Sequence, residues 1–111
     1  MSGGFKTQYP LEQRKEICGR LLDRHPDRIP VVVEGPKQTP THRLLIPKDV
    51  PMGQLVAVIR RKVELAPHEA LFVFVDNVIP PIGSLVSQIY EEHRDPDGFL
   101  YLDWRRENTF G

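Results

Sequence analysis

Residues 28–47 read RIPVVVEGPKQTPTHRLLIP, and this stretch determines the predicted fold. Its two ends, RIPVVVE at 28–34 and RLLIP at 43–47, are rich in β-branched and aliphatic residues that favour strands. The segment between them, GPKQTPTH at 35–42, contains glycine and proline and is typical of a turn. Two such runs around a short polar loop predict a β-hairpin. We place RLLIP at an edge of the sheet.

The segment before the hairpin carries the pattern of an amphipathic helix. Leu11, Cys18 and Leu22 recur at i, i+7 and i+11 within residues 11–24, which predicts one apolar stripe on an otherwise charged helix. His25-Pro26 ends this helix, because the residue before a proline is disfavoured in the α conformation.

The segment after the hairpin predicts one long helix, a strand, a short helix and a last strand. These elements lie at residues 52–63, 71–75, 85–90 and 99–104. The long helix presents Met52, Val56, Ile59 and Val63 on its apolar side. LFVFV at 71–75 is an unbroken apolar run, typical of a strand buried on both faces, so we place it at the centre of the sheet.

A hairpin, a crossing helix and two further strands predict an α+β fold, the β-grasp of ubiquitin-like proteins, with four strands and N-terminal helices. We expect an N-terminal helical extension at 1–25, the β-grasp at 26–104 and a flexible C-terminal tail at 105–111.

Composition narrows the functional classes. Fifteen basic and fifteen acidic residues give a formal net charge of zero, so we expect no nucleic-acid binding. The single cysteine, Cys18, fits a reducing cytosol, and neither an apolar span nor a signal segment is predicted. We therefore expect a cytoplasmic protein.

Four long segments, together with the pattern around them, resemble the autophagy ubiquitin-like modifiers. The segments are PDRIPVVVE (26–34), ALFVFVDNVIPP (70–81), IYEEHRDPDGFLYL (89–102) and NTFG (108–111). That family includes the GABA-receptor-associated protein and the microtubule-associated light-chain-three proteins. The resemblance implies a ubiquitin fold preceded by two helices, acting in autophagosome formation.

The resemblance also implies a chemistry for the C-terminus. In the family, a cysteine protease exposes a glycine, which activating and conjugating enzymes transfer to phosphatidylethanolamine, so that the protein resides on the autophagosome membrane. Gly111 is the residue at this position. The polar tail around Phe110 suits passage through a narrow enzyme channel, because a glycine places no Cβ beside the carboxylate.

The family binds cargo receptors whose motifs read aromatic, any, any, aliphatic. The resemblance implies an aromatic pocket formed by Ile17, Leu21, Pro30, Arg43, Leu45 and Phe99. It implies an aliphatic pocket formed by Leu44, Ile46, Val50, Leu55 and Val58. Arg28 and Arg43 are expected to attract acidic residues that flank the motif. Ile17 replaces an acidic residue common in relatives, so partner preference is not transferred with the pockets.

Other chemistry finds little support in the sequence. The four histidines show no metal-ligand spacing, and the sequence contains no phosphate-binding glycine loop. We therefore expect no metal, no cofactor and no enzymatic activity. We interpret Cys18 as a packing residue. Two alternative functions remain open, a ubiquitin-like binding module that is never conjugated and a small hydrolase.

A basic N-terminal region allows two interpretations. It comprises Arg14, Lys15, Arg20, Arg24 and Arg28. These side chains form either a solvated helix face or a surface that contacts acidic tubulin tails or lipid headgroups.

Overall fold

The computed structural model describes residues 4–106, which form four helices and four strands. In chain order they are α1 (Phe5–Gln8), α2 (Leu11–Arg24), β1 (Arg28–Glu34), β2 (His42–Pro47), α3 (Met52–Val63), β3 (Leu71–Phe74), α4 (Val86–His93) and β4 (Leu100–Arg106). The strands form one sheet in the order β2-β1-β4-β3. β1 and β4 are parallel in its centre, and the two outer pairs are antiparallel. This arrangement confirms the α+β β-grasp.

The hairpin is present, and β2 lies at an edge of the sheet as predicted. The central position predicted for residues 71–75 is wrong, because β3 lies at the opposite edge. Its apolarity has a local cause. Val73 and Val75 enter the main core, whereas the Phe74 ring on the other face lies 4.2 Å beneath the Arg105 guanidinium. Strand order depends on pairing with β4, which the local pattern of β3 does not encode.

Alternation along the central strands gives the sheet two covered faces. Ile29, Val31 and Val33 point into the main core, where α3 and α4 bury side chains that include Leu55 and Ile59. A smaller core on the opposite face is formed by Phe5, Cys18, Val32 and Phe99, and α1 and α2 cover it. The sheet is therefore enclosed between helices on both sides, with β2 running along one border.

Helix α2 covers the sheet with a stripe that differs from the predicted one. Cys18 and Leu22 pack in the smaller core, but Leu11 is 39% exposed, so its predicted place in the stripe is wrong. Arg14, one turn before Cys18, is buried instead. Its guanidinium donates to Asp97 at 2.6 Å, and this ion pair lets a basic residue occupy an inward position. The interpretation of Arg14 as solvated is also wrong.

The last strand is longer than predicted. Arg105 and Arg106, predicted as the first residues of the tail, belong to β4 and pair with Phe72 and Leu71 of β3. The polar side chains of these residues suggested a tail. They can nevertheless continue the strand, because pairing with β3 uses only backbone groups. Among residues 4–106, no helix combines the length and apolarity needed to cross a membrane.

Gly98 joins the loop after α4 to β4 at a point where no side chain fits. Its φ is +96°, and a Cβ built there would lie 2.6 Å from the Cys18 Sγ. We expect Gly98→Ala to lower the free energy of unfolding by about 1–3 kcal/mol through backbone strain and overpacking. Urea unfolding measures this change.

Gly19→Ala provides the matched control for that substitution. A Cβ at Gly19, on the exposed side of α2, meets no atom within 4 Å. This control should stabilise the protein slightly, because alanine favours helix. Equal stability of the Gly98→Ala variant and the wild type would show that the close approach of Gly98 to Cys18 carries no constraint.

Candidate peptide-binding groove

The outer edge of β2 presents backbone groups without a neighbouring strand. Within residues 4–106, β2 pairs only with β1, through a register in which Pro30 lies opposite Leu45. Its side chains alternate between the faces of the sheet. Ile46 and Leu44 pack with the main core, whereas the Arg43 guanidinium lies 5.6 Å from the Phe5 ring on the opposite face. Apolar surface therefore flanks this edge on both sides.

The face of the sheet that α1 and α2 cover brings together, beside β2, most of the residues expected for the aromatic pocket. Ile17 and Leu21 of α2 pack against the cluster that contains Phe99. Pro30 and Leu45 are cross-strand partners and point to this same face. Phe99 and Pro30 are buried, whereas the other three apolar side chains are half-buried. Phe99 and Pro30 are suited to form the floor of a shallow hollow, and Ile17, Leu21 and Leu45 are suited to form its walls.

The other side of the edge holds the residues expected for the aliphatic pocket. Leu44 and Val50 are half-buried against the main core, which contains Ile46. Val58, also half-buried, lies three residues after Leu55 on α3. Leu55 itself has no exposed surface, so a peptide would contact it only after its neighbours moved. The main core thus brings Leu44, Ile46, Val50 and Leu55 together, whereas Val58 is placed only by its position on α3.

Helix α1 adds a residue that the sequence interpretation missed. The Phe5 ring is buried, stands 5.2 Å from the Phe99 ring in an edge-on arrangement, and lies beneath Arg43. The Phe5 backbone N–H donates to the Glu34 carboxylate at 2.8 Å, which fixes α1 to β1. A four-residue helix with one apolar side chain shows no periodicity, so nothing in the local sequence indicated this contact.

A buried ionic cluster holds the N-terminal helices against the loop before β4. Asp97 accepts hydrogen bonds from Arg14 and from the Tyr101 hydroxyl. Lys6 of α1 pairs with Asp95 in the same loop. Burial opposes ionisation of Asp95, but the hydrogen bonds from Lys6 and the Asp97 backbone outweigh it, so its pKa lies below the usual value. The cluster thereby fixes the helices that wall the hollow.

Two arginines border the groove on its exposed side. Arg43 on β2 and Arg28 at the start of β1 are both solvent-exposed. Arg43 lies opposite Val32 and Arg28 opposite Pro47, so four residues, about 13 Å, separate them along the strands. Acidic groups on the two sides of one short motif would therefore meet different arginines.

The remaining chemistry-bearing residues are dispersed. Burial, and then the negative charge of Asp97, raises the pKa of the Cys18 thiol to about 11, which disfavours the nucleophilic thiolate. In the described part of the chain, no three His, Cys, Asp or Glu residues come close enough to hold a metal ion. Gly111 lies outside the described residues.

The basic N-terminal region is smaller than expected because Arg14 is buried. Its other four members remain exposed. Lys15 and Arg20 lie 3.9 Å and 3.5 Å from Glu12 and Glu16 respectively, and pairs of this exposed kind contribute little to stability. Contact of this face with tubulin tails or lipid headgroups stays a prediction.

The chain is similar to known autophagy proteins over nearly its whole length. A family model described as "Autophagy protein Atg8 ubiquitin like" matches residues 13–111. Autophagy-related protein 8 of Mycosarcoma maydis is 47% identical, with coverage of 100% of this chain and 98% of the relative. Autophagy-related protein 8d of Arabidopsis thaliana is 44% identical, with coverage of 96% and 93%. The crystal structure of Trypanosoma brucei ATG8 matches with a TM-score of 0.87 and 33% identity, covering 96% of this chain and 97% of that one.

Proposed function

The chain belongs to the Atg8 family of ubiquitin-like autophagy proteins, and from this premise we propose that it is conjugated through Gly111 to phosphatidylethanolamine and recruits cargo receptors through the β2 groove. In this proposal the protein is the substrate of conjugation, not its catalyst. A cysteine protease, an activating enzyme and a conjugating enzyme are its processing partners. It moves from the cytoplasm to the autophagosome membrane when lipidated.

The unpaired edge of β2, with apolar surface on both faces, is the observation that carries the proposal for the groove. An extended peptide added to such an edge points successive side chains to opposite faces of the sheet. Anchors three positions apart, as in an aromatic-x-x-aliphatic motif, therefore point to opposite faces. One anchor meets the hollow beside Ile17 and Leu21, and the other meets the surface beside Leu44 and Val50.

The expected affinity is moderate. Burial of each anchor contributes about 1.5–3 kcal/mol. Loss of translational freedom and ordering of the peptide offset much of this gain. We therefore expect a dissociation constant on the order of 1 μM, near −8 kcal/mol. Affinity in this range suits cargo capture by several copies on one membrane, because linked copies strengthen binding without new contacts.

Anchor spacing tests this groove directly. A peptide with Trp-Glu-Glu-Leu at its centre should bind at least about 10-fold more tightly than one with Trp-Glu-Leu, because deleting one residue sends the leucine to the wrong face. Isothermal titration calorimetry measures both affinities, with a scrambled peptide of the first composition as the control. Equal affinities for the two spacings would contradict strand addition at β2.

Conjugation would account for membrane residence without a spanning segment. A single acyl chain gives only marginal membrane binding, whereas two chains, as in phosphatidylethanolamine, anchor stably at about 0.8 kcal/mol per buried methylene. The match of the family model up to Gly111 supports that residue as the acceptor. Lipidation of Gly111 also separates this proposal from a ubiquitin-like module that binds motifs but is never conjugated.

A further inference from the structure

The side chains that line the hollow beside β2 offer no hydrogen-bond acceptor. Those of its walls and floor are all apolar, namely Ile17, Leu21, Leu45, Phe99 and Pro30. Arg28 and Arg43, the exposed arginines that border the groove, carry only N–H donors. Among these lining residues, therefore, the polar side chains can donate a hydrogen bond but cannot receive one.

The backbone carbonyls around the hollow already have internal donors. The Phe99 carbonyl accepts from the Asp95 N–H at 2.8 Å, and the Leu21 carbonyl accepts from the His25 N–H at 2.8 Å. The Ile17 carbonyl lies inside α2, where it accepts from the N–H four residues later. A donor brought into the hollow would have to compete with these bonds.

The polar side chains of α2 near Ile17 are engaged outside the hollow. Glu16, the preceding residue, lies 3.5 Å from Arg20. Gln13, one helical turn earlier, is exposed and lines a shallow depression of the surface together with Glu12 and Glu16. Ile17 is thus the wall residue of α2 where an acceptor would face a bound ring, and its side chain has none.

An aromatic anchor that carries a donor into this hollow exchanges water for apolar surface. Tyrosine carries a hydroxyl group and tryptophan an indole N–H, whereas phenylalanine has no polar side-chain atom. A donor that leaves water without finding a new acceptor weakens binding. Phenylalanine and tyrosine have the same ring, so the burial of apolar surface does not compensate tyrosine for this loss.

We infer that the hollow selects receptors whose aromatic anchor is phenylalanine over those anchored by tyrosine, and that Ile17 determines this preference. For tryptophan, the same wall withholds any gain from the indole N–H, although the larger ring buries more apolar surface. The inference rests on the proposed peptide binding at β2 and narrows the class of receptor that the groove takes.

Four peptides that differ only in their anchor test this preference by isothermal titration calorimetry on the full-length protein. They read X-Glu-Glu-Leu, where X is phenylalanine, tyrosine, tryptophan or 3-benzothienylalanine, which has the shape of tryptophan with sulfur in place of the N–H. The phenylalanine peptide should bind about 5–10-fold more tightly than the tyrosine peptide. The benzothienylalanine peptide should bind about 2–5-fold more tightly than the tryptophan peptide. Cation–π attraction to Arg43 favours the indole and therefore opposes the second result.

Ile17→Gln supplies an acceptor without adding a charge. It should bring both ratios to within about two-fold of one, because the carboxamide oxygen accepts from the hydroxyl group or the indole N–H. Gly19→Gln is the matched control and should keep the wild-type ratios, because a Cβ at Gly19 meets no atom within 4 Å. Far-UV circular dichroism checks the fold of both variants, and the wild-type ratios require no variant.

Two results would overturn the inference. Equal affinity of the wild type for the phenylalanine and tyrosine peptides would contradict the preference. Unchanged ratios in a folded Ile17→Gln variant would contradict the role of Ile17. Equal binding of all four peptides would reject this inference alone, whereas binding of none would reject the proposed groove and the inference with it.

Discussion

Replacing Arg43 and Leu45 together with alanine is expected to weaken binding of a Trp-x-x-Leu peptide at least about 100-fold. Leu45 borders the hollow on the face of the sheet that α1 and α2 cover. Its truncation removes apolar surface worth about 1–3 kcal/mol. Arg43, exposed on the same face, supplies a cation for an aromatic ring or an acidic neighbour. Because both act on one anchor, their joint loss should bring the affinity below the range of calorimetry.

The control for this experiment changes the same residue types elsewhere. Leu11 and Arg61 are exposed on α2 and α3 and belong to neither expected pocket, so Leu11→Ala with Arg61→Ala should bind the peptide within about two-fold of wild type. Far-UV circular dichroism of both double variants confirms that the fold is retained. If the Arg43/Leu45 variant kept wild-type affinity, the hollow beside β2 would not be the aromatic pocket.

Substituting Gly111 with alanine is expected to abolish lipid conjugation. Transfer of a C-terminal carboxyl group through a thioester requires that the terminal residue enter an enzyme channel, and a Cβ beside the carboxyl carbon obstructs a channel shaped for glycine. Misplacement by about 1 Å is sufficient to cost on the order of 100-fold in rate. Reconstitution with the family's activating and conjugating enzymes and phosphatidylethanolamine liposomes, followed by gel mobility, measures the effect.

Asn108→Ala is the matched change within the same tail, and it should be conjugated at close to the wild-type rate. It removes a side chain without altering the terminal residue. Formation of the lipid adduct by Gly111→Ala at the wild-type rate would contradict the assignment of Gly111 as the acceptor.

The hairpin and the edge position of β2 could be predicted because their signals are local. RLLIP places apolar groups on both faces of one strand, which fits a border where each face meets a different layer. The position of β3 could not be predicted in this way. Its side chains are covered by a core on one face and by Arg105 on the other, so an edge strand shows the pattern of a central one.

The walls of the groove depend on contacts between distant parts of the chain. Arg14 and Asp97 are separated by 83 positions, and neither has a local signal that identifies the other. A reader of the sequence who does not know that Asp97 is the partner of Arg14 sees only a charged residue, and therefore predicts that Arg14 is exposed to solvent. Phe5 reaches the Phe99 ring by the same long-range docking of α1. The pocket residues themselves came from resemblance to a family, not from periodicity.

The mass of the protein recovered from membranes of starved cells tests the central claim most directly. The account predicts an increase equal to one phosphatidylethanolamine, located by fragmentation on Gly111 of the C-terminal peptide. Membrane-bound protein with an unmodified Gly111, or with the lipid attached elsewhere, would contradict it.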